Sequence, residues 1–305
     1  MRNQPQPDPM PARGAETGAG WHELALIGVI GLLWGLNWPA VKTILSEVEP
    51  WTLRAVALTA GTLCLGAIAA ARGERLVPPR GEAGRLVAAG LFTVFGFNLL
   101  TAFGQLLTET SKAAIIAFTM PVWAAILSAA LLGERIGPRR AAAIALGMAA
   151  LGLLVAEDPG GLVAAPAGPL FMLGAALSWA VGTVLLKGAA PGMGPIARTT
   201  WLVGVAAVPA TIGALAAERP WEAALPSAAV LWVLAFHIAG PMVACHAAWV
   251  VLVGRLPVTL AAIGTLLIPV VGVIAAGLLL GDAVGPLRLA ALGAVAGAVL
   301  LAVRR

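Results

Sequence analysis

Charged side chains make up only 11% of the 305 residues, against about 25% in a typical soluble domain. Apolar residues reach 60% and the mean hydropathy is +0.95. Too little polar surface remains to cover a water-soluble globule, so the composition is that of an integral membrane protein. Tyrosine is absent and cysteine occurs only as Cys64 and Cys245. Both cysteines fall in apolar runs, which excludes a disulfide framework or a cysteine metal site and makes them small buried hydrophobes. No G-x-x-x-x-G-K-[ST] loop is present, so ATP does not drive the protein directly. Neither H-E-x-x-H, nor G-x-S-x-G, nor a pair of intramembrane aspartates occurs, and the chain does not read as an enzyme. No cofactor and no metal are expected. The net charge is +5, but the basic residues form no patch interleaved with aromatics, so nucleic acid is not a partner. No apolar run carries an acid in its middle, which argues against a carboxylate proton relay or a cation-binding carboxylate.

What the chain does have is ten apolar runs long enough to cross a bilayer, at 24–42, 51–71, 84–107, 112–132, 139–156, 168–187, 195–217, 228–253, 257–280 and 284–303. Residues 1–20 are rich in Pro, Gly and Ala and read as a disordered cytoplasmic tail. The run that follows is too long for a signal peptide, and no small-residue cleavage site follows it. With the N-terminus in the cytoplasm, cytoplasmic segments hold fourteen Lys and Arg and the opposite side five. The positive-inside rule then predicts both termini inside.

The second half echoes the first. Residues 113–140 align without a gap on 261–288, an offset of 148, with twelve identities in 28 positions. LLGERIGPRR recurs as LLGDAVGPLR, and Trp34 and Lys42 are spaced like Trp179 and Lys187. Five spans per repeat is an odd number, so the second copy enters the membrane from the opposite side. The expected fold is all-α and membrane-integral: ten transmembrane helices in two inverted five-helix repeats, 21–156 and 168–305. Many secondary transporters have this architecture, with a site near the midplane between halves that rock about it.

Several polar residues lie inside the runs. Trp34, Asn37 and Trp38 share a helical face, and Pro39 frees the Gly35 carbonyl near mid-span. That face either lines a cavity or glues helices together. Asn98, Thr101, Gln105 and Thr108 form one polar stripe on the third run, the strongest cavity signal in the chain. Pro121 and Pro269 hold equivalent places and free the carbonyls of Ala117 and Thr265, as symmetric interruptions at a central site or as packing kinks. Thr119 and Trp123 share a face of the fourth run. His237 and His246, nine residues apart, fall on opposite faces of a straight helix, so one of them is expected to line the path. Pro241 between them frees the His237 carbonyl. Lys42, Lys187 and Arg54 end or begin their runs and are expected to snorkel to the interface. Glu134 and Asp282 are expected to cap helix ends and pair with nearby Arg. Gly31-x-x-x-Gly35 and Gly293-x-x-x-Gly297 allow close helix approach, the latter compatible with a homodimer or with internal packing.

WGLNWPAVK at 34–42, TMPVWAAILSAALLGERI at 119–136, SWAVGTVLLK at 178–187 and IPVVGVIAAGLLLGD at 268–282 occur in order. On these motifs the chain resembles the drug/metabolite transporter superfamily, EamA type, over essentially its whole length after residue 20. The resemblance implies a cavity lined by spans 1–4 and 6–9, with spans 5 and 10 peripheral. It also implies a permease, often an exporter of amino acids or related metabolites, in a bacterial inner membrane. WGLNWPAVK looks most like members that export cysteine-pathway metabolites. Asp282 stands where the pattern usually has a second Glu. Missing tyrosine weakens an aromatic substrate, and Asn37 in place of a first-helix glutamate disfavours export of lipophilic cations. A scaffold that has lost transport, an importer, a multidrug permease and a passive channel are the rival readings.

Overall fold

A computed structural model describes residues 21–133, 135–187, 190, 192–252 and 258–303. The tail at 1–20 and Glu134 lie outside the described residues. All regular structure in them is helical. The first repeat comprises α1 (Trp21–Ile44), α2 (Pro50–Ala71), α3, α4 and α5 (Pro138–Glu157). Helix α3 runs as Ala83–Gly90, a π-helical stretch Leu91–Gly96, and Phe97–Leu107. Helix α4 is split into Thr110–Ala117 and Met120–Leu132. A short helix at Pro159–Ala164 leads to α6 (Ala167–Leu186). Helix α7 continues from Pro195–Gly213 into π-helical Ala214–Glu218. Helix α8 runs Ala228–His237, π-helical Ile238–Cys245, then His246–Leu252. Helices α9 (Val258–Leu280) and α10 (Pro286–Val303) complete the described chain.

Among the described residues, eight helices are long and apolar enough to cross a membrane, and Leu266–Leu280 and Pro286–Leu301 form shorter apolar helices. The outward faces are apolar too: Leu278 is 81% exposed and Trp232 77%. A surface of that kind is at home in lipid rather than water. Cys245 is buried as expected, but Cys64 is exposed. It projects from the outer face of α2, beside exposed Leu63.

The packing exchanges the two repeats. Helix α1 packs on α8 and α9, and its counterpart α6 packs on α3 and α4. Equivalent helices also pair with each other: α2 with α7, α5 with α10, and α4 with α9. Carboxylates fix the direction of the α2–α7 pair. Glu218, at the end of α7, accepts from the backbone N–H of Trp51 (2.9 Å) and Thr52 (2.6 Å) at the start of α2. Glu74, just past the end of α2, accepts from the N–H of Ala197 (2.8 Å) at the start of α7. These N–H groups have no partner within their own helices, and a carboxylate there also meets the positive end of the helix dipole. The two helices are therefore antiparallel, and an axis relating them lies across the helix direction, as an inverted repeat requires.

Close approach is built where the glycine motif predicts it for α1. A Cβ on Gly31 would lie 2.7 Å from the Leu267 side chain, and one on Gly35 would lie 2.4 Å from Val271. The second motif contributes less. Gly297 faces Leu146 of α5, and nothing lies within 4 Å of a Cβ on Gly293.

Glutamate and arginine tie a second set of ends. Arg288 is 2% exposed and bonds Glu157 (3.1 Å), Glu109 (2.5 Å) and the Ser111 hydroxyl (2.7 Å). Asp282 caps a helix, as expected, but the helix is α4: its Oδ2 accepts from the Ser111 N–H at 2.7 Å. The neighbouring Arg288 is held by Glu109 and Glu157, which arrive from the α3–α4 turn and the end of α5.

Gly35→Val should overpack the α1–α9 seam. A loss of about 1–3 kcal/mol is expected, read as a lower melting temperature in detergent, while Gly293→Val should melt as the native protein does.

Candidate functional site

A cavity of about 40 Å³ lies between α1, α2 and α3, lined by Asn37, Trp38, Val41, Arg54, Phe97, Asn98, Thr101 and Gln105. That is room for a few water molecules. The polar stripe of α3 supplies three of these residues. Thr108 does not continue it, because the helix ends at Leu107 and Thr108 is in extended backbone.

Arg54 departs from its expected place. It is 2% exposed and does not reach an interface. Its Nε donates to the Asn98 carbonyl at 2.8 Å and its Nη2 to the Thr101 hydroxyl at 3.4 Å. The cause is local. Trp51, one turn earlier on the same face, packs against Phe95 and Phe103 of α3 at 5.9 and 6.4 Å, and residues three apart point the same way. Lys42, half-buried in the last turn of α1, donates from Nζ to the carbonyls of Gln105 and Thr108, the unsatisfied end of α3. Lys187 is exposed at the end of α6, and its carbonyl accepts from Arg85.

Asn37 joins the cavity to α8, its Oδ1 accepting from His237 Nδ1 at 2.6 Å. Two buried atoms lack a partner among the described residues at this level: Gln105 Oε1 and His237 Nε2. His246 turns to α1 as well. Its ring meets Trp34 edge-on at 5.4 Å, and its Nδ1 donates to the Pro241 carbonyl at 2.9 Å. Both histidines therefore face α1, contrary to the straight-helix expectation. The intervening stretch is π-helical, with wider turns that change the angle between residues nine apart. Trp34 Nε1 donates to the same Pro241 carbonyl at 3.0 Å, so Trp34 seats α1 against α8 and is not in the wall of this cavity.

Trp179 stands behind the wall, 4.9 Å from the ring of Phe97. Thr119 and Trp123 bond each other: Trp123 Nε1 donates to Thr119 Oγ1 at 3.1 Å, and that hydroxyl donates to the Ile116 carbonyl at 2.6 Å.

The proline interruptions are not symmetric. Helix α4 breaks at Phe118–Thr119, just before Pro121, whereas α9 runs unbroken through Pro269 and α1 through Pro39. Thr119 distinguishes α4, since its backbone N–H and its hydroxyl both bond the Ile116 carbonyl and hold the tight turn at the break. Its repeat equivalent, Leu267, has no such group. The symmetric irregularity lies elsewhere. The offset of 148 carries 91–96 of α3 onto 239–244, inside the π-helical Ile238–Cys245 of α8. Ser178 donates to the Phe92 carbonyl at 2.7 Å within the first of them. Asn98 and His246 follow their π stretches at matching positions. Sequence reading matched those two residues but missed the π turns, of which Gly and Pro at 240–241 were the available sign.

Two side chains tie helix ends together near the Gln105 end of α3. Lys42 of α1 holds the end of α3, and Asp282 past α9 holds the start of α4. Trp38 lies 6.2 Å from the ring of Phe118.

This arrangement defines a multi-pass membrane protein made of two exchanged repeats, with a small polar cavity between α1, α2 and α3 of the first. A model of the EamA-like transporter family matches residues 21–156 and 166–304, and the chain belongs to that family. It is 30% identical over 53% of its length to the uncharacterized transporter YvbV of Bacillus subtilis (strain 168), covering 52% of that protein. It is 29% identical over 58% of its length to the chloroplastic WAT1-related protein At3g02690 of Arabidopsis thaliana, covering 43% of it. The matches thus span about half the length of these relatives. A crystal structure of another protein superposes with a TM-score of 0.67 at 20% identity, over 93% of this chain and 97% of that one, which supports the fold alone.

Asn37→Leu should strand the buried His237 Nδ1. An unsatisfied buried group costs about 1–3 kcal/mol, so a lower melting temperature is expected, and Asn37→Asp should restore an acceptor and recover part of the loss.

Proposed function

We propose that the chain is a secondary transporter of small polar metabolites, most simply amino acids or their derivatives, working by alternating access. The helices form ten spans in two inverted repeats of five, with boundaries near 21–156 and 168–305. The carrying observation is the cavity between α1, α2 and α3, where Asn37, Asn98, Thr101 and Gln105 present hydrogen-bonding groups inside an apolar bundle. Gln105 Oε1 has no partner among the described residues, and a cargo in the cavity supplies one. Trp38 and Phe97 offer apolar walls beside them. Trp34, Trp123, Trp179, Thr119 and the two histidines support the wall or meet the cargo as the halves move.

Basic residues favour cytoplasmic termini in a bacterial inner membrane. Lys42 and Asp282 then lie at the outer end, and their contacts close that side. Breaking them while the opposite ends of α4 and α9 come together would deliver cargo outward.

The test is a supernatant metabolite profile. Cells overproducing the native protein are compared with cells carrying Asn98→Leu/Gln105→Leu at equal membrane abundance. One or a few amino acids or derivatives should accumulate outside only with the native protein. Identical profiles, followed by no saturable flux in reconstituted vesicles, would leave a scaffold as the reading.

A further inference from the structure

Among the described residues two arginines are buried to 2% exposure, Arg54 and Arg288. They are treated very differently. Arg288 is answered by two carboxylates, Glu109 and Glu157. Arg54 forms no ion pair among the described residues, and its two bonds go to a neutral carbonyl and a hydroxyl. A guanidinium stays charged in any protein environment and carries five N–H donors. Those two bonds leave three of the donors. Arg54 lines the cavity, and so does Gln105, whose Oε1 has no partner among the described residues.

The electrostatics of the cavity has one sign. None of its lining residues is acidic. Lys42, the residue after Val41, adds a second positive charge, bonded to the backbone of the lining residue Gln105. Asp282 lies close enough to act on the Lys42 charge and is itself engaged with the N–H of Ser111, so Arg54 is the cation of the lining without a carboxylate partner among the described residues. An uncompensated cation in a membrane interior is costly, and such groups mark substrate or ion pathways.

From the contrast between the two arginines we propose that Arg54 is the recognition group for an anionic cargo, and that the cargo presents a carboxylate to it. Three remaining N–H donors suit the two oxygens of a planar monoanion, which guanidinium binds in a fork. A phosphate shares the oxyanion chemistry but brings more charge and more acceptors than one half-engaged guanidinium satisfies. Gln105 and Asn37 flank the same space and meet the uncharged part of the molecule. The bound carboxylate stands to Arg54 as Glu109 and Glu157 stand to Arg288. This rests on the transport reading above and narrows it to carboxylates, excluding cationic amines and neutral sugars.

The test uses the full-length protein, in proteoliposomes for counterflow and in detergent for melting. The probes are the standard L-amino acids and propionate, the carboxamide of each, and glycerol 3-phosphate. One or more carboxylates should show saturable counterflow and raise the melting temperature, with the matching carboxamide weaker by about tenfold or more. Arg54→Gln should weaken the carboxylate by about thirtyfold or more, and Arg54→Lys by less. If Arg54→Gln does not fold, the comparison of carboxylate with carboxamide on the native protein decides. Equal handling of the two overturns the assignment and leaves transport standing. So does a response to glycerol 3-phosphate alone. Stabilisation by carboxylates without any counterflow supports the Arg54 site and overturns the transport reading. No response to any carboxylate in either assay overturns the proposal.

Discussion

A charge taken out of water has to be answered inside the protein, and most of this structure follows from how that is done. Arg288 gathers the turn before α4, the end of α5 and the start of α10 around itself. Without its two glutamates, three helix ends would lose their common anchor. Arg54 is equally buried but gathers only neutral groups of α3. One arginine is a structural joint and the other borders open space.

The same constraint governs the helix ends. A helix in hydrocarbon satisfies its interior backbone but not its first N–H groups or its last carbonyls. Here acidic side chains from other helices meet the starts. Glu218 serves α2, Glu74 serves α7 and Asp282 serves α4. Lys42 serves the end of α3. Each of these four contacts also ties two different helices together. The few charges that the composition allows are therefore concentrated at helix ends, where each does two jobs, and the spans remain lipid-compatible along their length.

The irregular backbone is equally placed. The π-helical stretches of α3 and α8 fall at repeat-equivalent positions and precede Asn98 and His246. Wider turns at those two places aim the polar residues that follow toward α1 and the cavity. The break in α4 is a separate device, held by the Thr119 hydroxyl. Duplication supplied a common frame, and one or two side chains per copy then decided where the helix yields.

The amino-acid sequence by itself determined the membrane character, the position of the helices to within a few residues and the repeat, because hydropathy and period are local properties of a chain. It also marked the Asn98–Thr101–Gln105 stripe, since residues on one face of a helix share a neighbour whatever that neighbour is. It misplaced Arg54. Position near the end of an apolar run suggests an interface, and only the packing of Trp51 on Phe95 turns that side chain inward. It likewise set His237 and His246 apart, because a straight helix is the only geometry a spacing can assume. Which polar groups share one cavity, and which arginine lacks a counter-charge, depends on distances between segments far apart in the chain. Those distances are set by tertiary packing alone.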